Sequence, residues 1–131
     1  MNKSDTELGD TWLFQILFQA AGNAVKSRAY YDAINQYKYV SSEFGNININ
    51  DNYKTINDGV GVLLGIERKN SPSSLNFDNQ KIFMISITAL MNIEFEMMME
   101  NGKEGRENVV RKLKEKNLNN VIDLHREKIE I

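Results

Sequence analysis

The run "IFMISITALMNIEFEMMM", from Ile82 to Met99, constrains the fold more than any other stretch of this 131-residue chain. Its apolar side chains must leave water for a protein core or a bilayer. A bilayer span takes about 20 predominantly apolar residues, and here Asn92, Glu94 and Glu96 stand inside the run. A carboxylate at mid-bilayer is costly. The run is therefore expected in a protein core, as a central helix capped by Asp78 and ending near Asn101, with Phe83, Ile87, Leu90, Met91, Phe95 and Met98 as its main stripe. "NGKEG" is expected to end it.

A core of that kind fits the composition. Hydrophobic content of 41% with 26% charged residues is ordinary for a globular protein. The length suits one domain spanning residues 1–131. The chain has no cysteine, which excludes disulfides, thiolate metal sites and cysteine nucleophiles. A net charge of −2 gives no general attraction to nucleic acid or anionic lipid. "MNKSDTELGD" lacks the apolar run of a signal peptide, so the expected location is cytoplasmic, with no membrane partner.

Helical spacing recurs on both sides of the central run. "SDTE", Ser4 to Glu7, has the form of a capping box, and Leu13, Ile16, Leu17, Ala20, Ala21 and Ala24 follow on one helical face. A second helix is expected to bury Tyr30, Ala33, Ile34, Tyr37 and Val40 and to stop near Gly45. Asn46 to Asn52 reads as a loop, or as a short strand with Ile47 and Ile49 on one side. Val60 to Ile66 fits a buried helix or a buried strand equally well, because periodicity does not separate short apolar runs. "NSPSSLNFDN", around Pro72, reads as a surface loop. The last thirty residues read as a charged helical tail in which Val110, Leu113, Val121, Leu124 and Ile129 keep a packing stripe and "NLNN" weakens the helix. The expected fold is mainly α: a compact, irregular bundle of four to five helices, with room for a small β element between Asn46 and Ile66.

Within "AAGNAVKSRAYYDAINQYKYV", Phe18, Ala21, Gly22, Ala33 and Tyr37 resemble the tetratricopeptide repeat, a helix–turn–helix unit of peptide-binding solenoids. Val25 stands where that family has a tyrosine, and no second copy follows. Stacked repeats need neighbours to bury a core. The stretch is therefore read as a plain αα-hairpin, with small residues for close packing and tyrosines over the seam.

Catalytic and cofactor motifs are missing. "GVGVLLG", Gly59 to Gly65, lacks the Lys-Ser/Thr of a phosphate loop and carries Leu64 where a dinucleotide fingerprint needs glycine. There Gly61 and Gly65 are read as points of close approach. "NININDNYKTIND" places Asp51 and Asn57 where a calcium loop needs Gly and Glu. His125, the sole histidine, has Asp123 and Glu127 two residues away, and residues so spaced on a helix do not face each other. No catalytic, cofactor-binding or metal residues are expected, and no cofactor.

Two clusters remain as candidate partner-binding residues. Met97, Met98 and Met99 are consecutive, and three successive helical residues sweep about 300°. One stripe cannot bury all three, so at least one meets another neighbour, another subunit or solvent. Arg106, Arg111, Lys112 and Lys114, with Lys116, are the densest basic group, interleaved with Glu104, Glu107 and Glu115. The expected function is that of a small intracellular, non-enzymatic adaptor or inhibitor, of the immunity, antitoxin or phage-regulator type. Its partner would be another protein or a second copy of itself. One alternative is a nucleic-acid-binding regulator using the basic C-terminal helix. The other is a small-ligand binder or unorthodox enzyme with a pocket at Tyr30, Tyr31 or Tyr37.

Overall fold

A computed structural model describes residues 11–26, 28–66, 74–118 and 126–130. The chain is not a helical bundle. Among the described residues there are three helices, α1 (Thr11–Lys26), α2 (Ala29–Tyr37) and α3 (Asn92–Glu115), and five strands: β1 (Val40–Phe44), β2 (Val60–Leu64), β3 (Ser74–Phe77), β4 (Gln80–Phe83) and β5 (Ile87–Ala89). An antiparallel sheet runs in the order β1-β2-β5, and β3 and β4 form a separate hairpin. The all-α expectation is thereby overturned, and the β content reaches well beyond the segment between Asn46 and Ile66.

Each misread element has a local physical cause. The central apolar run is split among β4, β5 and α3, because Ile82, Ile85, Ile87 and Thr88 are β-branched and suit a pleated surface better than a helix. Asp78 caps no helix. With Asn79 it makes the two-residue turn of the β3–β4 hairpin, both residues at positive φ (49° and 61°), as a type I′ turn requires. The second helix ends at Tyr37 rather than near Gly45. Lys38 takes a left-handed conformation (φ 75°) and donates its N–H to the Ile34 carbonyl at 2.7 Å. That cap closes the helix and aims the chain into β1.

The core lies in two layers, one on each face of β2. On the first face Val60, Val62 and Leu64 meet Trp12 and Ile16 of α1 together with Phe44, Ile47, Ile49 and Tyr53. On the second, Leu63 joins Leu90, Phe95, Met98, Val109 and Leu113, largely from α3. Covered on both sides, β2 buries all five of its residues, which is why it reads as a continuous apolar run without alternation. Gly61 permits this. A Cβ there would stand 2.3 Å from Phe95 Cδ2, so only glycine lets α3 come down onto the sheet. The loop after β1 forms no strand, yet Ile47, Ile49 and Tyr53 plug the first layer.

The "NGKEG" segment interrupts the helical run as expected, so that α3 is two helices joined across a kink. Gly102 has φ 56° and ψ −132°, a combination that L side chains rarely adopt. A Cβ on Gly105 would lie 3.0 Å from the Met97 carbonyl oxygen. Eight residues of straight helix span about 12 Å, so the two halves of α3 fold against each other. Beyond α3 the described tail, residues 126–130, is not helical, and Arg126 and Ile129 are buried against the body.

That tail is anchored by a buried ion pair. Arg126 donates from Nη1 to Glu94 Oε2 at 2.9 Å and from Nη2 to Glu94 Oε1 at 2.5 Å, with both side chains almost fully covered. The same guanidinium reaches the Ala89 carbonyl of β5 at 3.2 Å and lies 5.8 Å from the Tyr53 ring centroid. Glu94 also accepts from the Met91 N–H at 2.8 Å and the Ile129 N–H at 3.3 Å. A buried carboxylate is tolerated only when its oxygens are occupied in this way. The pair ties together the end of β5, the start of α3 and the C-terminal segment.

Candidate interaction site

The outer face of α1 is the surface that the fold leaves least explained. Trp12, Ile16 and Ala20 face the sheet. On the opposite side Phe14, Leu17, Phe18, Ala21 and Val25 fall within an arc of about 100° at 100° per residue. Phe14 is 70% exposed, Phe18 81% and Val25 87%. Lys26 is the sole charge in the helix. A surface helix ordinarily turns a polar face to water, and this one turns a second apolar face. Two phenylalanines, each able to bury about 150–250 Å², with Leu17 and Val25, make a patch of roughly 400–600 Å², the upper limit of what a monomer leaves bare.

A groove on the far side of the sheet is the second feature. Helix α3 covers β2 but not the outer strand β1, and the space between them forms two troughs that share Ser41. The first, about 440 Å³, is bounded by Ser41, Glu43, Phe95, Glu96, Met99 and Glu100, with exposed Ile56 and Asn57 at its rim. The second, about 700 Å³, carries Tyr37, Lys38, Tyr39, Lys103, Arg106 and Glu107. Within it Tyr39 holds its phenolic proton more tightly than a free tyrosine, first because it is partly buried and second because Glu107 is near, while Arg106 pulls the other way.

The methionines separate as their helical angles require. Met98 lies in the core, Met97 packs against it at the edge, and Met99 is exposed at the first trough. The basic group does not gather into one free face. Arg111 is bound to Glu115 at 2.9 Å and to Asn108 at 2.7 Å, and Lys112 donates to the Glu130 carbonyl of the tail. Arg106 is half-buried beside Tyr39, and Lys114 is exposed without an ion pair among the described residues.

The remaining sequence candidates also resolve. Gly59–Gly65 is strand and turn, with Gly61 making room for Phe95 and Gly65 for Ile34 of α2. In the Asn46–Asn57 stretch Ile47 and Ile49 turn inward, while Ile56 is exposed. The described residues hold no group of three or more His, Cys, Asp or Glu placed to bind a metal. Tyr30 packs against the first core layer and accepts from Asn23 Nδ2 at 3.0 Å, and Tyr37 lines the second trough. His125, Val121, Leu124 and the Ser4–Glu7 capping box lie outside the described residues. Among the described residues no helix is long and apolar enough to cross a membrane. Comparison with protein-family models, curated proteins and solved structures finds no match to this chain.

Periodicity alone sought one apolar face and so assigned Leu17 and Ala21 of this stripe to the buried side, where the structure leaves both exposed. Phe14 and Phe18 were the available signal: they lie off the face of Leu13, Ile16 and Ala20 and have no charged neighbours.

Proposed function

We propose that this chain is a non-enzymatic binding protein, an adaptor or inhibitor that works by applying the outer face of α1 to an apolar surface of another polypeptide. The exposure of Phe14, Phe18 and Val25 on one uncharged stripe carries the reading. Apolar area left in water is unfavourable by about 25 cal/mol per Å², so a partner that covers the stripe gains a large part of its affinity there. Large aromatic side chains are the usual energetic anchors of such interfaces. The lack of charge along the stripe fits a partner chosen by shape rather than by electrostatic steering. An immunity, antitoxin or phage-regulator role suits a small domain of this kind, and a reducing cytoplasm suits a chain without cysteine.

The test is affinity capture from the native source with nuclease treatment, comparing the native chain with a Phe14→Glu/Phe18→Glu variant whose circular dichroism spectrum is unchanged. The reading expects a discrete protein species that survives nuclease and is absent from the variant. Equal capture by both chains, or capture abolished by nuclease, would refute it.

A further inference from the structure

The outer edge of the sheet belongs to β1, and its backbone is unpaired on one side. Leu90 donates its N–H to the Gly61 carbonyl at 2.9 Å and Gly65 its N–H to the Ser86 carbonyl at 2.8 Å, so these β2 residues turn their backbone groups toward β5. Antiparallel strands alternate, which leaves Val60, Val62 and Leu64 to bond with Phe44, Ser42 and Val40. The N–H and C=O groups of Ser41 and Glu43 therefore point out of the sheet, and no hydrogen bond among the described residues takes them up. On the opposite edge, Arg126 occupies the Ala89 carbonyl of β5. An edge left open in this way is a template for another strand.

Charge selects the strand. Glu43, Glu96 and Glu100 make one end of the groove beside β1 acidic, while Lys38, Lys103 and Arg106 outnumber Glu107 at the other. Ser41 stands where the two ends meet. A two-fold interface must find its complement on its own surface, and a groove with opposite charges about a midpoint does so when reversed onto itself. We infer that β1 pairs with β1 of a second copy of this chain, antiparallel and centred on Ser41, joining the two sheets across a two-fold axis. Glu43 then lies opposite Tyr39 of the second copy, beside that copy's basic end, and the arrangement repeats in the other direction. A register centred on Glu43 would set two carboxylates face to face and is disfavoured. A foreign basic peptide would satisfy the edge but only half of the groove.

This inference concerns a surface other than α1 and goes beyond the proposed function. Sedimentation equilibrium of the full chain at low salt tests it. The mass should rise with concentration from 15.1 kDa toward twice that value. Ser41→Pro removes an outward N–H, a change that an edge strand accepts in the monomer, and should hold the mass at 15.1 kDa throughout. Glu43→Lys should weaken association at least tenfold, and adding Lys103→Glu and Arg106→Glu should restore it. If the proline variant misfolds, the charge reversal and its rescue decide the matter. A native chain that stays monomeric overturns the inference, leaving the edge to a foreign strand. So does a dimer that survives both variants, or one that dissolves only in Phe18→Glu and so sits on α1.

Discussion

Replacing Arg126 with leucine should destabilise this protein more than any surface change, and the reason is local. Leucine keeps apolar volume at the site but removes both guanidinium bonds to Glu94 and the bond to the Ala89 carbonyl. The Glu94 carboxylate, fully covered, then keeps only the N–H groups of Met91 and Ile129. Removing one partner of a buried pair costs about 3–5 kcal/mol, because the surviving charge stays buried without compensation. For a chain of this length that corresponds to a fall in Tm of about 10–20 °C. The assay is urea unfolding followed by circular dichroism, with the midpoint lowered and the slope unchanged. The double variant Glu94→Leu/Arg126→Leu should recover much of the loss, since neither charge then remains. A loss under about 1 kcal/mol, the level of a solvent-exposed pair, would refute the claim that this pair anchors the tail to β5 and α3.

Other outcomes follow from the same geometry. Gly61→Val should destabilise by about 1–3 kcal/mol or more through collision with Phe95. Gly22→Ala, where an added Cβ meets nothing within 4 Å, should stabilise α1 by roughly 0.5–1 kcal/mol in the same unfolding assay. Met98→Ala should cost about 2–5 kcal/mol by leaving a cavity in the second core layer, whereas Met99→Ala on the open groove should change stability by less than about 0.5 kcal/mol. Tyr39 should ionise above its ordinary value of 10.0 in an ultraviolet titration, and Glu107→Gln should bring it down while Arg106→Met raises it further. Because the folded state holds that proton more tightly, the contribution is complete below the ordinary tyrosine value and is lost as pH rises through the folded one.

The sequence was most legible where a single layer decides the outcome. Of the face expected for α1, Leu13, Ile16 and Ala20 meet the core beside Trp12, whereas Leu17, Ala21 and Ala24 are exposed, and the angle between Met98 and Met99 parts core from surface. It was least legible where tertiary cover changes the period. With both faces of β2 buried, Val60 to Leu64 loses the alternation that would announce a strand. The run from Ile82 to Met99 mixes strand and helix formers without a glycine or proline between them, so one continuous helix was the natural but mistaken reading. The Asp78–Asn79 turn was the available correction, being a residue pair suited to positive φ between apolar neighbours. Glu94 and Arg126 stand 32 positions apart, and nothing local announces their contact. The exposed stripe of α1 was visible in composition but became meaningful only once Trp12 and Ile16 had taken the sheet-facing side.

If the outer face of α1 is a contact surface, site-specific photocrosslinking in living cells of the native source will capture what covers it. Photoreactive phenylalanine would be placed in turn at Phe14, Phe18 and Val25, with exposed Lys114 on α3 as the control position. One shared protein adduct is expected from all three α1 positions and none from the control. Adducts from every position alike, or from none, would contradict it.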